Sequence, residues 1–172
     1  QDTKMKYGFQ GGAMARMQFE GKLYFAPAVF YSMKGYKVNF TRPSFPPDSL
    51  AIDNDVTVHT FEFAPMLQYN FSESEGHFFI KAGPSIDLQL FGKEKVNKSA
   101  GPSVSRNMKF SYGDDGRFGA NLLLHLGYET SSGLIIYAHY THGVATIVNT
   151  DNGPTVRHRA VGLSVGKFFN RK

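Results

Sequence analysis

The stretch His139-Tyr140-Thr141-His142-Gly143, with His125 upstream, holds the residues whose types come nearest to chemistry. An imidazole beside a hydroxyl can take up the hydroxyl proton and leave a nucleophile. On a strand, side chains two apart share a face, so His139 and Thr141 could form such a pair. Thr141 is β-branched and stiff at χ1, which makes it a poor nucleophile here. Polar residues on one strand face also simply fill a polar interior. We therefore assign no catalytic residue and expect no enzyme, with His139 and Thr141 as the only candidates.

The charged residues suggest a different role. Arg16, Glu62, Lys81 and Asp87 sit near the middles of alternating segments and on the more polar face of each. Pairing among them would plug the inside of a small barrel, which is just wide enough for side chains to fill. A conduction path is the weaker alternative. Asp53-Asn54-Asp55, Asp114-Asp115 and Asp151-Asn152-Gly153 lack the ligand spacing of a calcium loop and read as turn chemistry. The six histidines show no metal-ligand spacing, cysteine is absent, and no cofactor is expected. Lys93, Lys95, Lys98, Arg106 and Lys109 make one long connection basic, suited to lipopolysaccharide phosphates outside the cell. The net charge of +5 is scattered, with no dense basic run, so nucleic acid is not an expected partner.

These residues need elements to hold them, and the dominant period along the chain is two. Alternation marks seven strands: Tyr7–Phe19, Leu23–Met33, Phe61–Phe71, Phe78–Phe91, Phe118–Tyr128, Leu134–Gly143 and Arg157–Phe169. The clearest sets Phe78, Ile80, Ala82, Pro84, Ile86, Leu88 and Leu90 against Phe79, Lys81, Gly83, Ser85, Asp87, Gln89 and Phe91. Aromatics at 15%, all Phe and Tyr, suit pleated surfaces. Such lengths exceed the usual ~5–6 residues of soluble strands and match the ~9–11 of a tilted membrane strand. No segment has the ~18 consecutive apolar residues of a membrane helix. Backbone groups in lipid must be paired internally, so the sheet should close on itself. Pro27, Pro65 and Pro84 fall on the apolar faces and are expected at bulges or bends.

Alternation alone does not say which face is inside. A soluble lipid-binding barrel would turn the apolar face inward; a membrane barrel turns it outward. The charges confined to one face favour the membrane barrel. Connections alternate in length as well. Glu20–Gly21, Ser72–Gly76 and Thr130–Ser132 are short, whereas Thr41–Asp55, Gly92–Gly116 and Val144–Val156 are long. Outer-membrane barrels have short periplasmic turns and long external loops. Seven strands then place Gln1 outside the cell, against the even strand number of such barrels. The simplest repair is one more strand before Gln1. Closure of a seven-stranded sheet by a partner, or an unread strand within Met108–Tyr112, are the alternatives.

Five segments carry a family resemblance: Lys22–Gly35 (KLYFAPAVFYSMKG), Glu62–Tyr69 (EFAPMLQY), Phe79–Pro84 (FIKAGP), Arg117–Glu129 (RFGANLLLHLGYE) and Val161–Phe169 (VGLSVGKFF). Each joins a strand to a Pro or Gly, and as an ordered set they resemble the PorT-like outer-membrane β-barrel family of Bacteroidetes-type bacteria. The resemblance implies an all-β, antiparallel, up-and-down transmembrane barrel of eight strands, seven of them visible here. It implies a single domain over residues 1–172 in the outer membrane of a Gram-negative cell. It also implies a structural, accessory or interaction role, with outer-membrane lipid, lipopolysaccharide and other envelope proteins of a larger complex as partners. The Asn170-Arg171-Lys172 tail departs from the usual aromatic terminus. His139-Tyr140-Thr141 is similar to the His-x-Ser pattern of outer-membrane lipid A deacylases, with Thr141 in place of the serine. A lipid A acyl hydrolase is therefore one alternative function, and a soluble lipid-binding barrel another.

Overall fold

A computed structural model describes residues 2–39, 50–110, 116–144 and 159–169. Every regular element is a strand: β1 (Asp2–Met5), β2 (Phe9–Met14), β3 (Met17–Glu20), β4 (Leu23–Asn39), β5 (Ala51–Asn70), β6 (His77–Lys98), β7 (Val104–Asn107), β8 (Phe118–Glu129), β9 (Leu134–Gly143) and β10 (Arg159–Lys167). β1, β2 and β3 all pair with β4 and form one interrupted first strand. From there the order is β4-β5-β6-β8-β9-β10, every pair antiparallel, in a curled sheet.

The break between β2 and β3 has a chemical cause. Proline has no N–H to give a ladder. Pro27 pairs with Pro65, and the same register sets Pro65 opposite Pro84, so the three stand in one row. The break between β2 and β3 lies opposite Pro27, where Ala15 N still donates to Pro27 O at 2.9 Å. No ladder pair forms between Phe63–Ile86 and Leu67–Ala82, which flank Pro65 and Pro84. The register continues unchanged across all three prolines, so they are not the bulges expected of them. The register shifts lie elsewhere, at Gln18/Glu20, Ala51/Asp53 and His59/Thr60; at the last, His59 pairs with Phe91 and Thr60 with Gln89, which leaves Leu90 as an extra residue. Beyond it the faces of β6 swap. Phe91 therefore sits outside, stacked on His59 with ring centroids 4.5 Å apart, and not on the polar face where strict alternation puts it.

Two of the expected loops contain strand. Ala51–Asp55 belongs to β5, and Gly92–Lys98 continues β6, with β7 folded back on it from Val104. β7 thus ends before Met108, and Met108–Phe110 lie outside any strand. Asp53 and Asp55 are strand residues, not turn residues. Asp53 accepts from Asn97 Nδ2 at 2.6 Å and pairs with Lys37 at 3.0 Å; Asp55 takes Lys6 at 2.5 Å. Asp114-Asp115, Asp151-Asn152-Gly153 and most of Val144–Val156 lie outside the described residues. At the opposite end the turns are tight, and Gly21 (φ 51°) and Gly133 (φ 80°) adopt the left-handed backbone that such turns favour in glycine.

Candidate functional site: the polar lumen

The two faces of the sheet differ in kind. On β8, Leu122, Leu124 and Leu126 point away from the curl and are 53%, 45% and 55% exposed, whereas Asn121 and His125 point into it and are 2% exposed. The same inversion runs along β5, where Phe61, Phe63 and Leu67 are outside and Thr60, Glu62 and Gln68 are buried. A water-soluble barrel has the opposite arrangement. Aromatic side chains bound this apolar wall above and below. Near the long connections stand Phe9, Tyr31, His59 and Phe91, each touching the next, with Tyr31 Oη 2.7 Å from His59 Nδ1. Near the tight turns stand Tyr69 with Phe71 and Phe78 with Tyr128, in edge-on pairs. From His59 to Tyr69 is ten residues of β5; at about 3.3 Å each and a tilt of about 40°, this gives a band about 25 Å tall, that of an outer-membrane wall. Among the described residues no helix is long and apolar enough to cross a membrane.

The family model of the outer membrane protein beta-barrel domain matches residues 1–149. The chain belongs to this family. No curated protein and no solved structure matches it. The protein is thus an integral barrel of the outer membrane, and its exposed apolar wall excludes the soluble lipid-binding alternative.

Inside the barrel, the four charged residues picked from the sequence all face the lumen but do not form one network. Glu62 and Asp87 are register partners and buried. Lys34 Nζ lies 3.2 Å from Glu62 Oε2 and 2.9 Å from Asp87 Oδ2, so one ammonium holds both carboxylates. Ser85 Oγ donates to Glu62 Oε1 at 2.5 Å, and Asn121 Nδ2 donates to Ser85 Oγ at 3.3 Å. Arg16 belongs to a second cluster. Its guanidinium takes both oxygens of fully buried Glu129 and lies 4.3 Å above the Phe168 ring. His77 Nε2 stands 3.6 Å from the same carboxylate. Such fork-to-carboxylate pairing fixes geometry as well as charge. Below this pair a cavity of about 380 Å³, lined by Lys22, Tyr24, Asn70 and Glu73 among others, opens at the turn end.

Lys81 stands apart from both clusters. It is 1% exposed, and its Nζ meets Met14 Sδ at 3.2 Å, with the rings of Phe79 and Tyr137 at 5.0 and 5.8 Å. Gly127 makes room for these residues, because a Cβ there would lie 2.5 Å from Tyr137 Cβ and 2.7 Å from Phe79 Cζ.

Lys34 and Glu129, which complete the two clusters, were not among the sequence candidates. Each lies one residue past the strand ends that the alternation marks, Met33 and Tyr128. Extending those strands by one residue places both on the lumen face but does not show which residues they pair with.

His139 and Thr141 both face the lumen. His139 Nδ1 lies 3.2 Å from Ser164 Oγ, not at Thr141. His125 stacks on Tyr137, with centroids 4.9 Å apart. Among the described residues no group of three or more His, Cys, Asp or Glu converges as a metal site would. The basic residues of the former loop divide. Lys93 and Lys95 are exposed on the outer face of β6, beyond the aromatic row, and Lys109 is exposed after β7. Lys98 ends β6. Arg106 on β7 donates from Nε to Glu94 at 2.6 Å.

Proposed function

We propose that this barrel is a structural or interaction component of the outer membrane, without catalytic activity, that works as a partner in a larger envelope complex of the PorT-like kind. The observation that carries this reading is the filled lumen. Buried ion pairs occupy it at two levels, Lys34 with Glu62 and Asp87, and Arg16 with Glu129. A barrel interior filled by side chains leaves the wall and the projecting β5–β6–β7 ribbon as working surfaces. That ribbon carries Lys93 and Lys95 just beyond the aromatic row, at the height of lipid phosphates, so lipopolysaccharide is its natural lipid partner. The test is isolation of the tagged protein from native membranes in mild detergent, followed by planar-bilayer recording. The proposal expects a stable envelope protein to co-purify and the bilayer to stay silent. A barrel that elutes alone and gives stepped currents contradicts it.

A second reading, a lipid A acyl hydrolase, is favoured by one contact, His139 with Ser164. Among the described residues no carboxylate is recorded on His139, so the orienting third member of a triad is not supplied. This reading predicts loss of acyl chains from lipid A, abolished by Ser164→Ala and by His139→Ala, whereas the structural role predicts an unchanged acyl pattern.

A further inference from the structure

Above the aromatic row the outer face of the sheet changes character. One register row there runs Lys4, Lys37, Asp55, Lys95, Ser105, across five strands from β1 to β7. The row below it runs Gly35, Thr57, Lys93, Asn107. Below that come Met33, His59 and Phe91, the last two in the aromatic row itself. Strand residues two apart rise about 6.6 Å, so the two polar rows stand where lipid headgroups begin. Lys6, just past β1, lays its stem over Gly35, where a Cβ would stand 2.9 Å from Lys6 Cδ. Lys4, Lys6, Lys37, Lys93 and Lys95 thus share one face with two acids, Asp53 and Asp55.

These lysines are not equally engaged. Lys6 Nζ lies 2.5 Å from Asp55 Oδ1 and donates to Thr57 Oγ1 at 2.7 Å, and Lys37 Nζ lies 3.0 Å from Asp53 Oδ2. Both acids are therefore answered from the β1–β4 side. Lys95 faces Asp55 in register, yet among the described residues Lys4, Lys93 and Lys95 have no ion pair. Glu94, between Lys93 and Lys95 in the chain, is buried and taken by Arg106. Free ammonium groups thus stand at both ends of the rows, Lys4 at one and Lys93 with Lys95 at the other. Neighbouring strands are about 4.8 Å apart, so Lys4 and Lys95 are about 14 Å apart along the sheet. Between them lie covered Asp55 and the Thr57 hydroxyl, and exposed Ser105 and Asn107 add neutral donors at the β7 end. A lone phosphate meets one end only. A head with an anion at each end and a neutral, hydroxyl-bearing span meets both, and lipid A, a sugar pair phosphorylated at each end, has this form. We propose that the two rows are a two-ended site for bisphosphorylated lipid A, with Lys93 and Lys95 on one phosphate and Lys4 and Lys37 on the other. This rests on the reading of the ribbon as a lipopolysaccharide contact and adds to it a second end, on β1 and β4.

Native mass spectrometry of the barrel in mild detergent tests this. The protein is titrated with an equimolar mixture of bisphosphoryl and monophosphoryl lipid A carrying the same acyl chains, and both occupancies are read at once. The bisphosphoryl form should be favoured on the order of tenfold, the scale of two lysines at an anionic surface. Lys4→Gln with Lys37→Gln, and separately Lys93→Gln with Lys95→Gln, should each bring the ratio near unity, whereas arginine at the same positions should keep it. Heat-dependent gel mobility checks that each variant is folded. Equal occupancy by the two lipids in the unaltered chain overturns the two-ended site. So does a preference that is lost with Lys93 and Lys95 but survives the loss of Lys4 and Lys37, a result that leaves the ribbon's own lipopolysaccharide contact standing. Binding of neither lipid removes that contact as well.

Discussion

Lys34 is the residue on which the upper lumen turns. Its ammonium lies between Glu62 and Asp87, two carboxylates on adjacent strands and in register. Lys34→Met leaves two buried like charges facing each other, and removing one partner from a buried pair costs about 3–5 kcal/mol. The midpoint of urea unfolding in detergent, followed by tyrosine fluorescence, should fall accordingly. The triple change Lys34→Met, Glu62→Gln, Asp87→Asn should recover most of the loss; a single variant as stable as the parent would show that the cluster is solvated and unimportant. Arg16→Ala is the parallel case in the lower lumen. It takes the guanidinium from fully buried Glu129, predicts a loss of the same size, and should be rescued by adding Glu129→Gln. Arg16, Glu62, Lys81 and Asp87 were legible because alternation put each inside. Their partners were not, because pairing across a lumen joins residues as far apart as 16 and 129, and no local pattern encodes that distance.

Among the elements, β8 gives the plainest contrast between faces. Leu124→Arg places a charge on the lipid face near the middle of the wall and should cost about 2–4 kcal/mol. Lys93→Ala, on the exposed ribbon, should stay within about 0.5 kcal/mol. Both are read from the same urea midpoints in lipid bilayers, and equal costs would contradict the placement of the wall. The seven alternating segments and their faces were legible because period two is a local signal. The bulge at Leu90 was not, because Leu90 and Phe91 are both apolar and either could face lipid. The outward reach of β5 and β6 was hidden for another reason. Beyond the wall the outer face of β6 carries exposed Lys93 and Lys95 and the inner face carries Gly92 and buried Glu94, so no hydrophobic stripe in β6 marks the strand. Pro27, Pro65 and Pro84 were read on the correct face, but their alignment in one row depends on the register of three strands together.

For the molecule as a whole, the sequence left one choice open: which face is inside. Alternation is satisfied by a soluble barrel or by its inverse, and only the curvature of the sheet selects between them. Here buried Glu62, Asp87 and Glu129 are inside, and Leu122, Leu124 and Leu126 of β8 are outside. The measurement closest to the central claim uses the absence of cysteine from the chain. Single cysteines placed in turn from Asn121 to Leu126, spin-labelled and examined in bilayers, report contact with lipid through relaxation by oxygen and contact with water through a polar nickel complex. The labels at 122, 124 and 126 should respond to oxygen and those at 121, 123 and 125 should not, in strict alternation. The reverse phase, or no alternation at all, would contradict a lipid-facing apolar wall around a polar lumen.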